Sequence, residues 1–200
     1  MFQSSKVIKT IFYSNVILFI LTLLSPTFVM AFGGQSGNVP ELFKYLAMWS
    51  FDNENFIPTQ LLTYQFLHSG VLHILFNMLV LLSFGPTVED MLGEREMWIY
   101  YLLCGVSGAI LHNVMVSSGV PMVGASASVW GVMVMFTLVY PNEKMYLFFI
   151  PIGIKGKYLI GFMFLFEVFS AFNVNDNISH FGHIGGALMG GLLYFINKKK

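Results

Sequence analysis

Apolar residues along this chain come in long blocks separated by short polar junctions, with neither the strict alternation of strands nor the narrow stripes of soluble helices. The first block runs from about Val7 to Ala31, behind Lys6 and Lys9. Five more follow at 70–91, 97–116, 125–140, 158–172 and 178–196. At roughly 20 apolar residues per membrane crossing, the pattern predicts six transmembrane helices. The first block is long for a signal-peptide core and shows no small-x-small cleavage site, so it is expected to be a retained helix.

The junctions are less uniform. Residues 33–58 are the longest polar stretch and hold Glu41, Lys44, Asp52 and Glu54 together with Trp49. Within it, Glu41 to Ser50 is expected to lie as an amphipathic helix on the membrane surface. An acidic turn (Glu89, Asp90, Glu94, Glu96, with Arg95) separates the second and third blocks. Met145 to Ile154, broken by Pro151 and Gly153, is too short to cross and is placed at the interface.

Composition makes the solvent explicit. Of 200 residues, 56% are hydrophobic and 10% charged, against about 25% charged in soluble domains, and the mean hydropathy is +0.72. The lipid bilayer is the implied partner, and 1–200 is expected to be a single all-α membrane domain. No basic run has aromatic residues interleaved as a nucleic-acid groove needs, so nucleic acid is not an expected partner. Lys198 to Lys200 read as an anchor at a membrane end. Cys104 is the one cysteine, which forbids an internal disulfide and suits packing. Six spans put both termini on one side, and nine of the ten basic residues fall there, with Lys44 alone opposite. By the positive-inside rule the termini are then cytoplasmic, as in a multi-pass protein of a bacterial inner membrane.

Polar groups inside such blocks are costly and usually face the bundle interior or a water-filled cavity. In Val123-Gly124-Ala125-Ser126-Ala127-Ser128-Val129-Trp130, Ser126 opens the fourth block two residues after a glycine. There it lies beside unpaired N–H groups and the positive end of the helix dipole. That place suits a nucleophile whose attack creates an oxyanion, and it equally suits a helix cap in a small-residue seam. His73 and Asn77, four apart in the second block, share a helical face. An interhelical hydrogen-bond pair would explain them as well. In the sixth block His183, Gly186 and Gly190 share a face, and the glycines allow another helix to approach closely. Ser126, His183 (about 8 Å below the start of its block) and His73 could therefore occupy one layer. Ser128, about 200° around the helix, is off that side. His180, one turn nearer the surface, is expected to be wet and structural. Glu167 is an acid within the fifth block, without an assigned role.

With those residues in hand the chain resembles the rhomboid family of intramembrane serine proteases. The resemblance rests on His68-x4-His73-x3-Asn77, on Gly124-Ala125-Ser126, and on His183-x2-Gly186-x3-Gly190. The turn Gly85-x3-Glu89-x3-Gly93 and the interfacial Leu147-Phe148-Phe149-Ile150-Pro151-Ile152 also look like the family. It implies a six-transmembrane-helix bundle in which Ser126 is the nucleophile and His183 its general base, a dyad with no acid. It further implies an oxyanion hole from the Ser126 N–H, His73 and Asn77. Trp130 would pack on the imidazole, with Gly124, His68, Gly186 and Gly190 in support. The implied partners are transmembrane protein substrates, cut near their outer ends; no cofactor and no metal is implied. Two departures stand out: Ala127 replaces the glycine usual after the nucleophile, and Trp49 is followed by Ser50, not Arg. Two rival functions remain, a rhomboid-like protein that captures membrane helices without cutting them, and a transporter or proton pathway built on Glu167.

Overall fold

The computed structural model describes residues 5–24, 41–116, 120–146, 152–172 and 178–197. The tail of the first expected span (25–31), residues 33–40, the start of the break before Ser126 (117–119), the apolar residues 147–151 and the lysine anchor 198–200 lie outside the described residues.

Helix α1 covers Lys6–Leu24, and two short helices follow, α2 (Glu41–Leu46) and α3 (Gln60–Thr63), the latter running into a 3₁₀ turn at Tyr64–Phe66. The long helices α4 (Val71–Leu92) and α5 (Glu94–Met115) come next, then α6 (Ser126–Val139). After two antiparallel strands of two residues each come α7 (Gly156–Ser170) and α8 (His180–Asn197). Each of the six apolar blocks thus carries a helix. Three of them, α1, α4 and α5, are long and apolar enough to cross a membrane. Helices α6 and α7, with 14 and 15 residues, rise about 21 and 22 Å, less than the ~30 Å hydrocarbon core. The expected count of six full spans is therefore not established. Helix α6 can be short because protein surrounds it: Ala127 to Met133 are all buried.

The described residues are mostly helical, with one short exception. In the interfacial junction, Lys144–Met145 (β1) pairs antiparallel with Ile154–Lys155 (β2). The backbone groups at the two ends of the junction find their hydrogen-bond partners in each other.

Large apolar side chains cover the outside: Ile17, Ile20 and Leu21 on α1, Leu72, Leu75 and Phe76 on α4, Phe162, Phe166 and Phe169 on α7 are exposed. An apolar surface of this extent needs a hydrocarbon partner. Inside, the stripe on α5 (Met97, Tyr100, Tyr101, Cys104, Gly105, Gly108, Ala109) follows the helical period and grows small toward its C-terminus. Glycines of α8 occupy the space this leaves. A Cβ at Gly185 would stand 2.7 Å from Ser107 O, and one at Gly186 would overlap the Ala127 carbonyl of α6. One at Gly190 would meet Gly131 Cα at 2.7 Å. Lipid gives no hydrophobic drive for helix association, so this backbone-to-backbone approach is what binds α8 between α5 and α6.

At the opposite end the acidic turn acts as a clamp. Glu89, buried, accepts the first-turn N–H groups of α1 at Val7 (3.0 Å) and Ile8 (2.9 Å). Those groups have no partner within their own helix, and the carboxylate also meets the positive end of its dipole. Gly85 lies where a side chain would strike Ile8, and Gly93, at φ +85°, turns α4 into α5.

The expected surface helix at Glu41–Ser50 is corrected. The helix is six residues long, and Phe43, Ala47, Met48 and Trp49 are buried. Phe43 and Ala47 pack on Leu67, and Met48 bonds the backbone of Met122, so this segment covers the Ser126 end of the bundle. Phe43, Met48 and Trp49 are received there by protein, while Tyr45 stays exposed.

Candidate active site

The segment leading to Ser126 is held at three points. Met48 and Met122 exchange both backbone hydrogen bonds (2.9 and 2.8 Å), Gly124 N–H donates to Tyr64 O (3.1 Å), and Ala125 N–H points at His68 Nε2 (3.5 Å). Tyr64 is itself fixed by its hydroxyl on Gly105 O at 2.7 Å. Gly124 has φ +128°, and a Cβ there would sit 2.7 Å from His73 Nε2. Only glycine supplies both the conformation and the space.

Helix α6 begins at Ser126, with Ala125 at the cap position and no side-chain cap. Val129 N–H is the first bonded within the helix, to Ala125 O at 2.9 Å, so the N–H groups of 126–128 have no partner inside the helix. A capping serine would spend its hydroxyl on those groups. Ser126 Oγ instead lies 2.8 Å from His183 Nε2. Ser128 turns away and donates to Gln65 Oε1 at 2.8 Å in the buried interior.

His183 sits in the first turn of α8, on the same side as Gly186, and Trp130 stands beside it with ring centroids 6.1 Å apart and planes at 32°. Its other nitrogen faces α7. Glu167 Oε1 is 3.0 Å from His183 Nδ1, an ion-pair contact off the straight line of a hydrogen bond. Glu167 Oε2 lies 2.5 Å from His180 Nδ1. His180 is therefore not wet, as its place in the sequence suggested, but 5% exposed. Helix α7 covers it, and the carboxylate gives it a partner that makes burial tolerable. Glu167 belongs to the last turn of α7, level with the serine.

His73 and Asn77 come to the same end on α4. Ser69 Oγ lies 3.1 Å from His73 Nδ1, which leaves Nε2 toward Gly124. Asn77 Nδ2 donates to His73 O at 2.9 Å; an amide nitrogen has two N–H donors, so one is left for another acceptor. His68 is fully buried and packs edge-on to His73 with centroids 4.8 Å apart. Burial, helped by the neighbouring His73, pushes its pKa down to about 3, so His68 is neutral at ordinary pH and accepts at Nε2. Behind α8, Ser179 Oγ meets His112 Nδ1 at 2.8 Å.

Of the residues the sequence singles out, Ser126, His183, Trp130, His73 and the glycines come together in the structure. The link from Glu167 to both histidines, and the pair Ser179–His112, are not apparent from the sequence. An acid in an apolar block and two histidines three apart were the available signals for the first; nothing marked the second. Glu167, His180 and His183 offer three donor atoms within 4.8 Å of one another. Ligands at about 2.0–2.2 Å from one zinc ion stand more than 3 Å apart, so the observed contacts are direct pairing between the side chains. An apolar cleft lined by Met91, Leu92, Met135, Val139, Tyr194 and Asn197 lies at the other end of the bundle, remote from Ser126.

A helical bundle with an apolar exterior, holding a hydroxyl against an imidazole near one end, defines an integral membrane protein with a polar site inside it. The family model of the Rhomboid domain matches residues 55–200, a range that includes every one of these groups. The chain belongs to the rhomboid family. Rhomboid protease GluP of Bacillus subtilis (strain 168) is 34% identical over 180 residues, which cover 87% of this chain and 32% of GluP. YdcA of the same strain is 31% identical over 143 residues, 70% of this chain and 68% of that protein. RHOMBOID-like protein 6, mitochondrial, of Arabidopsis thaliana is 31% identical over 140 residues, 68% of this chain and 43% of that protein. The chain thus spans less than half the length of GluP and of the plant protein.

Proposed function

We propose that this chain is a serine endopeptidase that cuts transmembrane segments of other membrane proteins within the bilayer, near their outer ends. The observation that carries the reading is the 2.8 Å approach of Ser126 Oγ to His183 Nε2 inside an apolar bundle. A nucleophile and a base within hydrogen-bond reach are the core of covalent acyl transfer. As Oγ bonds to the scissile carbonyl carbon, its proton passes to His183 Nε2 and the carbonyl oxygen becomes an oxyanion. The free N–H of Ser126, His73 Nε2–H and the spare N–H of Asn77 are the donors in reach of that charge. Collapse breaks the C–N bond, and His183 returns the proton to the departing amine. Water, activated by the same imidazole, then releases the acyl group.

In the same reading the chain folds as one domain whose six helices all traverse the lipid. Its termini face the cytoplasm, in a bacterial inner membrane, as the nine-to-one distribution of basic residues supports. Purified protein treated with a fluorophosphonate probe is expected to be labelled. Ser126→Ala should abolish labelling, and Ser128→Ala should leave it. Labelling that persists in Ser126→Ala removes the nucleophile assignment, and an unlabelled native protein that retains intact membrane partners favours helix capture without cleavage.

A further inference from the structure

We propose that Glu167 is a positioning residue for His183, so that the Ser126–His183 pair is steered by a carboxylate from α7. This rests on the reading of Ser126 and His183 given above, in which the family resemblance implies no acid.

The first argument is cost. An acid in a helix whose neighbours Phe162, Phe166 and Phe169 are 60–77% exposed on the apolar side is expensive unless compensated. Glu167 is turned inward, 13% exposed, and each of its oxygens faces a histidine nitrogen of α8.

The second argument is the proton inventory of one ring. To accept from Ser126, His183 Nε2 must carry a lone pair, which puts the ring proton of the neutral imidazole on Nδ1. That nitrogen is the one facing Glu167 Oε1 at 3.0 Å. The carboxylate favours this tautomer over the alternative, and it stands beside the positive charge that develops when the serine proton arrives at Nε2. The Nδ1 proton stays where it is throughout. Contacts of this kind are often poorly aligned in a resting site and tighten when substrate binds.

The third argument is rigidity. His180 Nδ1–H on Glu167 Oε2 at 2.5 Å fixes the carboxylate's rotation, so Oε1 is aimed by a second hydrogen bond. Among the described residues, the other titratable groups close to His183 are bases: His180, already on the carboxylate, His73 on α4 and His112 on α5. None of them can supply negative charge, as Glu167 can.

A mere tether for the end of α7 would give the same contacts, so the test must separate the two. The full chain in detergent is assayed for reaction with a fluorophosphonate probe, resolved into the maximal inactivation rate and the probe's apparent affinity. Glu167→Gln is expected to lower the maximal rate by about tenfold or more, with affinity and thermal midpoint within error of native. Glu167→Asp should recover part of the loss. Histidine-selective ¹⁵N NMR of the unaltered chain should show His183 with its proton on Nδ1. A proton on Nε2 overturns the proposal without any variant, and so does a Glu167→Gln protein that reacts at the native rate. A variant that only melts earlier and binds probe less well shows a tether and also overturns it. If the native chain fails to react at all, it is the assignment of Ser126 that has failed.

Discussion

Gly124 shows how much one residue decides. Its φ of +128° lets the chain turn from the Met122 bridge into α6, and the absent Cβ leaves room for His73 Nε2 at the mouth of the site. His73 and Asn77 are neighbours on α4, but their supports differ: a serine hydroxyl holds the ring of one, and the backbone of its own helix holds the amide of the other. In the proposed mechanism Asn77 would thus offer an oxyanion a donor that is already oriented. Loss of one such donor costs about 10²–10³ in rate in other acyl-transfer enzymes, and a fall of that order in turnover is expected for Asn77→Ala. Measured on any transmembrane substrate the native protein cleaves, an unchanged rate would take Asn77 out of the mechanism. Ala127, where the family has glycine, is accommodated: it is fully buried, and its methyl faces Gly108 of α5, where a Cβ would stand 2.5 Å from it, so the small residue at this contact is supplied by α5.

Among the helices, α8 carries both His183, the proposed base, and the contact that places it. Gly186 is one turn from His183, and its Cα abuts the backbone of Ala127, next to the serine. A methyl there must push α6 and α8 apart, and overpacking of this kind typically costs about 1–3 kcal/mol. Gly186→Ala is accordingly expected to lower the thermal midpoint in detergent and to slow probe labelling. Gly161→Ala, in open space on α7, should do neither; the helix-propensity difference favours alanine there by up to about 1 kcal/mol. Equal melting of the two variants would show that the glycine face does not set the α6–α8 distance. At the other end, Glu89 joins α1 to the α4–α5 turn through two backbone donors, with Lys6 on Glu94 at 2.7 Å outside it. The exposed pair adds little to stability; the buried cap is the joint.

Over the whole molecule, chain direction alternates so that Ser126, His180 and the C-terminus of α7 share one end and Glu89, Lys6 and Arg95 the other. The proposed topology puts these ends on opposite sides of the membrane. Cys104 is buried and is the one cysteine in the chain, so a cysteine introduced on the surface reports alone. Lys44→Cys is expected to react with an impermeant maleimide in intact cells, and Arg95→Cys only after the membrane is opened. Reaction of both, or of neither, without opening would contradict the odd number of crossings that the proposed topology puts between Lys44 and Arg95.

How much of this was legible beforehand depends on distance along the chain. The blocks, the glycine faces, the serine at a helix start and the histidine on a glycine stripe were readable, because helical period and residue size act locally and lipid penalises every polar exception. Whether α6 and α7 are long enough to cross was not, because α6 is sheltered by neighbours and its length answers to them, not to the bilayer. The burial of Phe43, Met48 and Trp49 over the serine loop was hidden likewise, since an amphipathic segment looks the same whether lipid or protein receives its apolar face. So was the meeting of Glu167 with His180 and His183. An acid and an imidazole pair across helices only where the packing of α7 on α8 sets their depth and rotation, and no spacing within either segment encodes that. The sequence by itself determined which groups could do chemistry in the membrane; the tertiary structure alone decided which of them touch, because contact between helices is fixed by how their surfaces fit.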